Sequence, residues 1–434
     1  MSHPAAKLRF SIATLGLVTA IALASIITLL LQERGRTRDL LLPALTYEEL
    51  TGSLFTPPAG DTFRKPKVRV LQAPDFTGAM AIWGSTGRDR RGNIWFGVSA
   101  CCSGGSARLY QFDPDGDTWR DHGSVTDQLK ALGRHRPGEG QVKIHSRIVA
   151  AGDGLLYFAS SDEEGEKEDG SAQPRWGGHL WRIDPASGKW QHLLAAPEAL
   201  IAVAGVGRYV YALGYWDHVL YQYDTLIGTT KRKLIGSVGG HISRNLVADA
   251  RGHVFVPRVR RAANGALSAA LVELDSELRE IAATPLDAYL GKGVPDGNHG
   301  ITGLAYIRDG RILFLTSRGS LYSIDPPNLK SPGQGLKVRG LGWIHPKGEA
   351  YAASLFSLGD STSIAAIATS QRGYEWVVMD LRTGISSAFP LDTQGLKDVL
   401  LYGSISRDNR GRAYAVGWQA IPRGKGPLLL QIEP

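Results

Sequence analysis

Short runs that are apolar or alternate between apolar and polar residues follow one another along most of the chain, and one pattern of two short strands around a tight turn recurs until the last residue. In each copy the first strand ends in an acidic residue. Aligned on that acid, the copies are ARLYQFDP (Asp113), HLWRIDP (Asp184), VLYQYDT (Asp224), ALVELDS (Asp275), SLYSIDP (Asp325), EWVVMDL (Asp380) and LLLQIEP (Glu433), at steps of 71, 40, 51, 50, 55 and 53 residues. Repeats of this length made only of short strands are typical of the β-propeller, so seven copies predict seven blades.

Two more runs precede each hairpin and complete a blade of four strands. The nearer run is apolar, and most copies enter it through a glycine turn; it begins at Asn93, Leu155, Tyr209, His253, Arg311, Ser363 and Arg412. Farther upstream lies a run of smaller residues, such as the seven that begin at Ser146. Small residues suit the crowded innermost strand, so each unit is expected to run outwards from the axis.

The two ends of this region are expected to pair with each other. The last hairpin stops at residue 434 without an outer strand, whereas the run that starts at Lys67, KVRVLQAPD, resembles the outer strand WQHLLAAPE at Trp190. The front of the region therefore supplies the outer strand of the seventh blade. This closure removes exposed strand edges and predicts one all-β propeller over residues 66–434.

An uncharged apolar segment, residues 11–31, follows a short tail of residues 1–10 and precedes a tether of residues 32–65. It has the length of a transmembrane helix. Basic residues flank it on both sides: Lys7, Arg9, Arg34, Arg36 and Arg38. A cleavable signal peptide is the alternative, because Ala22-Leu23-Ala24 resembles a cleavage site; the apolar run continues past that point and favours an uncleaved signal-anchor helix.

Membrane anchoring would make the lipid bilayer a partner of the chain. Basic residues on both flanks leave the orientation weakly determined. Short N-terminal tails before a single span usually stay in the cytoplasm, so the propeller is expected on the extracytoplasmic, periplasmic side.

Composition supports the all-β interpretation and excludes one class of partner. The chain of 434 residues holds 53 glycines and 22 prolines and is 43% hydrophobic. Its formal net charge is +8, yet the arginines are scattered among turns, and no basic helix or nucleic-acid motif is present. A solvated, mildly basic surface is therefore expected, and no nucleic-acid partner.

Only two cysteines are present, and they are neighbours, Cys101 and Cys102. They exclude a long-range disulfide within one chain and leave a vicinal disulfide as the one intramolecular bridge. Such a bridge is plausible in an oxidising compartment and would stiffen its loop.

Four histidines fall on the links between blades, which emerge on the face of a propeller where ligands usually bind. They are His145, His241, His299 and His345. His241 and His299 each stand eleven residues before a turn glycine, so they occupy equivalent positions in successive blades. Converging imidazoles suit one divalent metal ion or an anionic substrate. The alternative is that each histidine holds a loop by hydrogen bonds to neighbouring groups.

Other polar residues on the same face are candidate ligand contacts: Arg147, Arg244, Arg258, Trp216, Asp217, His218 and Asn298. The arginine guanidinium groups would bind a carboxylate or phosphate through two hydrogen bonds, and the Trp216 ring could stack on a sugar. The alternative is that arginines after the inner-strand serines pair with turn aspartates such as Asp249 and Asp408, and that Trp216 packs on the next blade. A long acidic loop after Ser161 is expected to form a solvated lid.

Asp-x-x-Gly turns occur at Asp89, Asp249 and Asp408, and each is followed by the hairpin. This motif, together with the Asp-Pro turn of the hairpins, resembles the blades of virginiamycin B lyase-like propellers and related sensor or sugar-lyase propellers. The resemblance covers most of residues 66–434. It implies metal-assisted β-elimination as an activity, and in oligogalacturonate lyases of this fold histidines near the channel hold the metal. By this resemblance the four link histidines would hold the ion here.

These observations lead to two hypotheses. In the first, a membrane-anchored extracytoplasmic propeller binds an acidic small molecule or glycan at a top-face pocket rich in histidine and arginine. In the enzymatic version of this hypothesis, the propeller is a metal-dependent lyase or hydrolase. The second is a non-catalytic interaction platform or sensor subunit in a membrane complex, which the lack of a recognisable acid/base pair supports.

Overall fold

The computed structural model describes residues 63–102, 104–167, 170–249, 251–291, 300–325, 337–359, 362–393, 395–396, 398–403, 406–422 and 424–434. These residues form seven antiparallel sheets around a central channel, which confirms the seven-bladed propeller. The predicted apolar segment 11–31 lies outside the described residues, as do the tail and most of the tether. No helix in the described part of the chain is long and apolar enough to span a bilayer.

Each blade has an inner strand a, then b, c and an outer strand d. Blade 1 contains β2 (Ala79–Ala81) and β3 (Thr86–Arg88) as its interrupted inner strand, then β4 (Ile94–Ala100), β5 (Arg108–Asp113) and β6 (Thr118–Ser124). Blade 2 contains β7 (Lys143–Ile144) and β8 (Val149–Ala150) on the inside, then β9 (Leu156–Ser161), β10 (Gly178–Ile183) and β11 (Trp190–Ala196). Blade 3 contains β12 (Leu200–Val206), β13 (Tyr209–Gly214), β14 (Val219–Asp224) and β15 (Thr230–Leu234).

The remaining blades follow the same order. Blade 4 contains β16 (Val247–Ala248), β17 (Val254–Arg261), β18 (Leu267–Leu274) and β19 (Glu280–Pro285). Blade 5 contains β20 (Ile301–Tyr306), β21 (Ile312–Thr316), β22 (Ser320–Ile324) and β23 (Val338–Trp343). Blade 6 contains β24 (Ala352–Ser357), β25 (Ser363–Ser370), β26 (Gly373–Asp380) and β27 (Ile385–Pro390). Blade 7 contains β28 (Val399–Tyr402), β29 (Ala413–Ile421) and β30 (Gly424–Glu433), with β1 (Lys67–Leu71) outside them.

The closure predicted from the sequence is confirmed. Strand β1 pairs antiparallel with β30, and Val68 lies opposite Ile432. Because β1 precedes the other six blades in the chain, this pairing joins the two ends of the propeller in one sheet. The edge of the last hairpin is thereby covered.

The apolar core lies between the blades. Seven clusters of buried side chains each join two neighbouring sheets; Trp95 and Phe158, for example, lie together between blades 1 and 2, and Phe255 and Phe314 between blades 4 and 5. Each sheet therefore buries both of its faces against its neighbours. This arrangement explains why the b and c strands are apolar on both faces rather than alternating.

The Asp-x-x-Gly turns connect strands a and b at the bottom of the blades. In Asp89, Asp249 and Asp408 one carboxylate oxygen accepts the backbone N–H groups two and four residues later, at 2.9–3.0 Å. The opposite face, where the b–c loops and the links between blades emerge, is the top. One link contains a helix, α1 (Val125–Ala131), which Ser124 caps by accepting the N–H of Asp127.

Candidate functional site

The inner strands of blades 1, 2 and 7 leave the regular ladder halfway along the channel. Between two paired positions in each of these blades, the inner strand advances by five residues while strand b advances by only three. The opposed segments are 81–86 and 99–96 in blade 1, 144–149 and 160–157 in blade 2, and 402–407 and 416–413 in blade 7. In blades 1 and 2, two residues therefore have no place in the ladder. Bulges of this kind redirect side chains out of the regular alternation of a strand.

Blade 4 departs further from the ladder. The N–H of Val238 donates to the carbonyl of Val259, and the next inner-strand pair is Val247 with Phe255, so nine steps oppose four. In blades 3, 5 and 6 the inner strand shifts by only one residue. Blades 1, 2, 4 and 7 therefore supply most of the side chains that reach the channel.

Aromatic rings from several blades meet in the upper channel. The Trp83 ring of blade 1 meets Tyr402 of blade 7 edge to face, with centroids 4.8 Å apart. Trp83 also lies 6.3 Å from the His145 imidazole, which lies 6.2 Å from Tyr215 of blade 3. Glycine allows this approach, since a Cβ on Gly84 would stand 2.7 Å from the Gly403 carbonyl oxygen. We call Trp83, His145, Tyr215 and Tyr402 the channel collar.

Arg244 reaches across the channel from blade 4. Its guanidinium lies 4.6 Å from the centre of the Tyr402 ring, and Tyr351 of blade 6 is its hydrogen-bond partner. Burial acts to lower the pKa of Arg244, but the nearby phenols of Tyr351, Tyr402 and Tyr215 outweigh it and raise the pKa above its ordinary value. No carboxylate in the described part of the chain pairs with this cation. The Arg244 side chain is half-buried, and a guanidinium in this setting pairs readily with an anion.

His145 adds a neutral polar group to the collar. Its side chain is buried, and its Nε2 has no hydrogen-bond partner among the described residues. Burial holds the pKa of His145 well below its usual value, and the positive charges of Lys143 and Arg244 lower it further. The imidazole is therefore uncharged at neutral pH, and Nε2 is available to a ligand.

Arg147 extends from the same bulge as His145. Its Nε has no hydrogen-bond partner within the described residues, and burial lowers the pKa of its guanidinium to about 10. The phenol of Tyr306 on blade 5 is close enough to oppose that lowering. Blades 3 and 4 stand between blades 2 and 5 in the ring, so this interaction crosses the channel.

The acidic loop of blade 2, predicted to be a solvated lid, contacts Lys143 and Trp216, and several of its side chains are exposed. Glu163 forms an ion pair with Lys143, whose ammonium lies 4.8 Å from the Trp83 ring centre. Glu166 accepts the indole N–H of Trp216 at 2.7 Å. Burial raises the pKa of Glu166 to about 7, against the effect of the Trp216 hydrogen bond. The described residues 162–167 and 170–176 of this loop are named the lid below.

The predicted histidines occupy separate environments. His241 contacts the Ser237 hydroxyl through Nδ1 and the Tyr289 hydroxyl through Nε2, at 2.7 and 2.9 Å. His345 contacts Glu375 through Nε2 and accepts the N–H of Lys347 at Nδ1. Both therefore hold neighbouring groups, as the structural alternative proposed. Throughout the described residues no group of three or more His, Cys, Asp or Glu could hold a metal ion.

His299 and Asn298 lie outside the described residues, so the four-histidine site stays a prediction. The described histidines do not themselves assemble a ligand set.

The other predicted ligand contacts differ in availability. Arg258 forms two hydrogen bonds of 3.0 Å to Glu280, so an internal carboxylate already occupies its fork. His218 is fully buried, and its Nδ1 lies 2.9 Å from the Pro257 carbonyl oxygen. Trp216 is buried against the lid, whereas Asp217 is exposed. Of the predicted set, Arg147, Arg244 and His145 are the residues that the bulges bring to the channel.

The predicted pairing of inner-strand arginines with turn aspartates is wrong for Arg147 and Arg244. Asp249 instead pairs with Arg251, which lies in the same turn, and Asp408 pairs with Arg412, which directly follows its turn. Within the described chain neither aspartate pairs with Arg147 or Arg244. The short sequence separation explains the preference, because a turn holds both partners together before any distant arginine can reach them.

The two cysteines lie at the end of β4 on the top face, and both are free thiols. Their sulfur atoms are 2.7 Å apart, and Cys102 has a φ of 76°. The hydrogen bond with Cys102 is the largest cause that raises the pKa of Cys101. The predicted vicinal disulfide stays a prediction.

Sequence reasoning missed Trp83, Tyr351 and Tyr402 as channel residues. A signal was present for two of them, since Trp83-Gly84 and Tyr402-Gly403 repeat an aromatic–glycine step just before a bulge. Tyr351 carries no comparable signal.

Known proteins resemble this chain only distantly. No family model and no curated protein matches the chain. Among solved structures, the β-propeller domain of Cps50 (Swd1) from Myceliophteria thermophila is 12% identical, with 84% of this chain and 99% of that chain covered and a TM-score of 0.46. The propeller domain of the Trilobed protease from Pyrococcus furiosus is 10% identical, with 82% and 94% covered and a TM-score of 0.43. A fungal alcohol oxidase in complex with copper is 11% identical, with 86% and 77% covered and a TM-score of 0.48.

Proposed function

We propose that this chain is a membrane-anchored, extracytoplasmic β-propeller that binds an acidic small molecule or glycan in the upper part of its channel. One observation carries the proposal: the Arg244 guanidinium spans the channel with aromatic partners and no carboxylate among the described residues. Arg244 is half-buried, so a guanidinium without an internal carboxylate is available to an anionic ligand there.

The surroundings of Arg244 suit an anion that also has an apolar face. The guanidinium binds a carboxylate or phosphate through two parallel N–H groups. The rings of Trp83 and Tyr402 offer surfaces for a sugar ring or hydrocarbon part. The unpartnered Nε2 of His145 adds one hydrogen bond. Together these groups favour a compact ligand with one strong negative charge.

The lid gives the proposed site a means of access control. Lys143 and Trp83 belong to the channel, and Glu163 and Glu166 belong to the lid; the Lys143–Glu163 ion pair joins the two directly. A ligand that enters from the top must pass these contacts. The anionic ligand would also compete with the Glu163 carboxylate for the Lys143 ammonium.

Binding is tested with full-length protein purified in detergent, by calorimetric titration with acetate, inorganic phosphate and glucuronate. The proposal predicts that at least one of them binds and that Arg244→Ala weakens it by about 10- to 100-fold, the value of a charged hydrogen bond. Arg382→Ala is the matched control, because Arg382 is an exposed arginine already paired with Asp380. Equal affinity in all three proteins would remove the channel site. A stable partner protein from the same detergent extract, with no anion bound, would favour the interaction platform instead.

Membrane anchoring is the second part of the proposal, and the uncharged segment 11–31 supports it. The full-length chain should remain with the membrane fraction after an alkaline carbonate wash. A C-terminal alkaline phosphatase fusion should be active, since this reporter folds outside the cytoplasm. Release of the chain by the carbonate wash would contradict membrane anchoring. An inactive phosphatase fusion, together with an active fusion to a reporter that works only in the cytoplasm, would contradict the orientation.

A further inference from the structure

The two thiols of the chain lie side by side on the top face of blade 1. Cys101 and Cys102 directly follow β4, and their sulfur atoms are 2.7 Å apart. The anion site at Arg244 does not use them. Thiols this close are able to form and break a mutual bond with little movement of the loop, whereas distant cysteines need the backbone to move.

Hydrogen bonds on both sides hold the loop that carries the pair. The Cys101 N–H donates to the Gly78 carbonyl at 2.7 Å. The Gly105 N–H donates to the Cys102 carbonyl at 3.0 Å and closes a tight turn, in which a Cβ on Gly105 would stand 2.6 Å from the Cys101 carbonyl oxygen. Cys102 has a φ of 76°, in the left-handed region that side chains disfavour. Such backbone strain persists where the surrounding structure enforces it, often at functional sites.

The two thiols differ in their access to solvent. Cys101 is half-buried, and Cys102 is exposed. The hydrogen bond with Cys102 raises the pKa of Cys101, so Cys101 keeps its proton more tightly than a free thiol. Because exposure and thiolate character together decide which sulfur reacts, Cys102 is the sulfur that an incoming molecule meets first. Cys101 is then placed to react second.

A disulfide between neighbouring cysteines is strained and therefore easily reduced. Consecutive Cα atoms are about 3.8 Å apart, whereas disulfides usually join Cα atoms about 4.4–6.8 Å apart. Strained or exposed disulfides have higher reduction potentials than structural ones, and they are the ones that exchange. The pair therefore suits a bond that is formed and broken repeatedly rather than one that stabilises the fold.

We propose that Cys101 and Cys102 form a thiol–disulfide exchange site, whose oxidised state is the vicinal disulfide and whose substrate is an accessible thiol. This activity is separate from anion binding in the channel. It assigns the exposed Cys102 as the sulfur that is attacked and the half-buried Cys101 as the leaving group.

The exchange takes two steps. A substrate thiolate attacks the Cys102 sulfur, the bond between the two cysteines breaks, and Cys101 leaves as a thiolate that takes a proton from water. A second substrate thiolate attacks the substrate sulfur of the mixed disulfide and releases the Cys102 thiolate, which is also protonated. Two electrons thus pass from two substrate thiols to the pair, and the substrate leaves as a disulfide. A more oxidising disulfide restores the vicinal bond by the reverse steps.

The test uses full-length protein in detergent, oxidised with diamide and then freed of it. Reduced glutathione and a reduced peptide with two well-separated cysteines are added in separate experiments, and the products are trapped with acid and weighed by mass spectrometry. We expect both probes to be oxidised, and the equilibrium to favour the unstrained peptide disulfide over the protein disulfide by at least about 10-fold. The faster probe distinguishes a protein thiol from a small thiol as the substrate.

Single substitutions separate the roles of the two cysteines. With glutathione disulfide as the probe, Cys101→Ser should take up one glutathione on Cys102 and keep it, because no neighbouring thiol resolves the mixed disulfide. Cys102→Ser should react at least about 10-fold more slowly, since its remaining thiol is half-buried. The double variant, Cys101→Ser with Cys102→Ser, contains no thiol and is the blank.

Three results would overturn the proposal in protein whose thermal unfolding is cooperative. The first is the failure of diamide to join the two sulfur atoms. The second is an equilibrium in which the protein keeps its disulfide against the reduced peptide. The third is an equal rate of reaction in the two single variants. Anion affinity at Arg244 is measured separately by calorimetry, so none of these results bears on the proposed function.

Discussion

The inner strands of blades 1, 2, 4 and 7 differ from those of blades 3, 5 and 6 in how fully their buried polar groups are hydrogen-bonded. The continuous inner strands β12, β20 and β24, every residue of which the structure describes, carry no buried side-chain polar atom that lacks a hydrogen bond. The interrupted inner strands carry several among their described residues: Trp83 Nε1, Ser85 Oγ, Arg88 Nε, His145 Nε2, Arg147 Nε and Asn245 Oδ1.

This difference shows where the propeller accepts a loss of stability. In blade 5 the Thr302 hydroxyl donates to the Ala352 carbonyl of blade 6 at 2.8 Å, so polar groups there join neighbouring blades. In blade 2 the bulge turns His145 and Arg147 towards the channel without such partners. Unsatisfied groups that cluster in one place are characteristic of functional sites rather than of structural ones.

The largest expected effect tests the structural role of the continuous strands. A Cβ on Gly303 of blade 5 would stand 2.6 Å from the Leu355 Cβ and 2.7 Å from its backbone nitrogen. Gly303→Ala should therefore lower the free energy of unfolding by about 2–3 kcal/mol, because backbone atoms of blade 6 must move. Chemical denaturation measures this change, and anion affinity should stay as it is.

Gly205→Ala in blade 3 is the matched control. Its added Cβ would meet the Val210 Cγ2 at 3.3 Å, a side-chain atom that can shift. The cost should stay below about 1 kcal/mol. Equal destabilisation by both substitutions would show that tight packing between inner strands does not explain the rigidity of blade 5.

Arg244→Met should change stability little. Arg244 is half-buried and its tyrosine neighbours favour its charged form, so methionine, which keeps much of the side-chain volume, should change the free energy of unfolding of the ligand-free protein by less than about 0.5 kcal/mol. Arg258→Met should instead lose about 1 kcal/mol, since Arg258 forms two hydrogen bonds to Glu280. Denaturant midpoints of the two variants give the comparison. A loss of stability in Arg244→Met as large as in Arg258→Met would mean that the Arg244 charge is already compensated.

The smallest effect concerns pH and the lid. The folded-state pKa of Glu166 is about 7, raised by burial above its unfolded value. Between roughly pH 4.5 and 7 the unfolded chain releases this proton and the folded chain keeps it, so the contribution of Glu166 to stability falls as pH rises. Glu166→Gln should flatten that part of the stability profile. A profile with the same slope in the variant would show that Glu166 does not titrate in this window.

The sequence predicts the blades well because their information is local. The repeated strand hairpins, the Asp-x-x-Gly turns and the resemblance of KVRVLQAPD to an outer strand depend only on neighbouring residues, and all three hold in the structure. The helix at Val125 was missed because a helix of seven residues leaves too short a periodic pattern.

The site was predicted only in part, because its geometry depends on distant residues. The sequence does not distinguish Arg147, Arg244 and Arg258, and only the structure shows that Arg258 forms an ion pair with Glu280. The bulges depend on a register between two strands, which no single strand encodes. The metal site remains a prediction that includes His299, outside the described residues.

The most direct test of the account is the position of a bromide ion in crystals of the full-length protein soaked in bromide, located by its anomalous scattering. The account predicts a peak in the channel within hydrogen-bond distance of the Arg244 guanidinium and close to His145 Nε2. Peaks only at surface arginines such as Arg382, with a carboxylate found against Arg244, would contradict it.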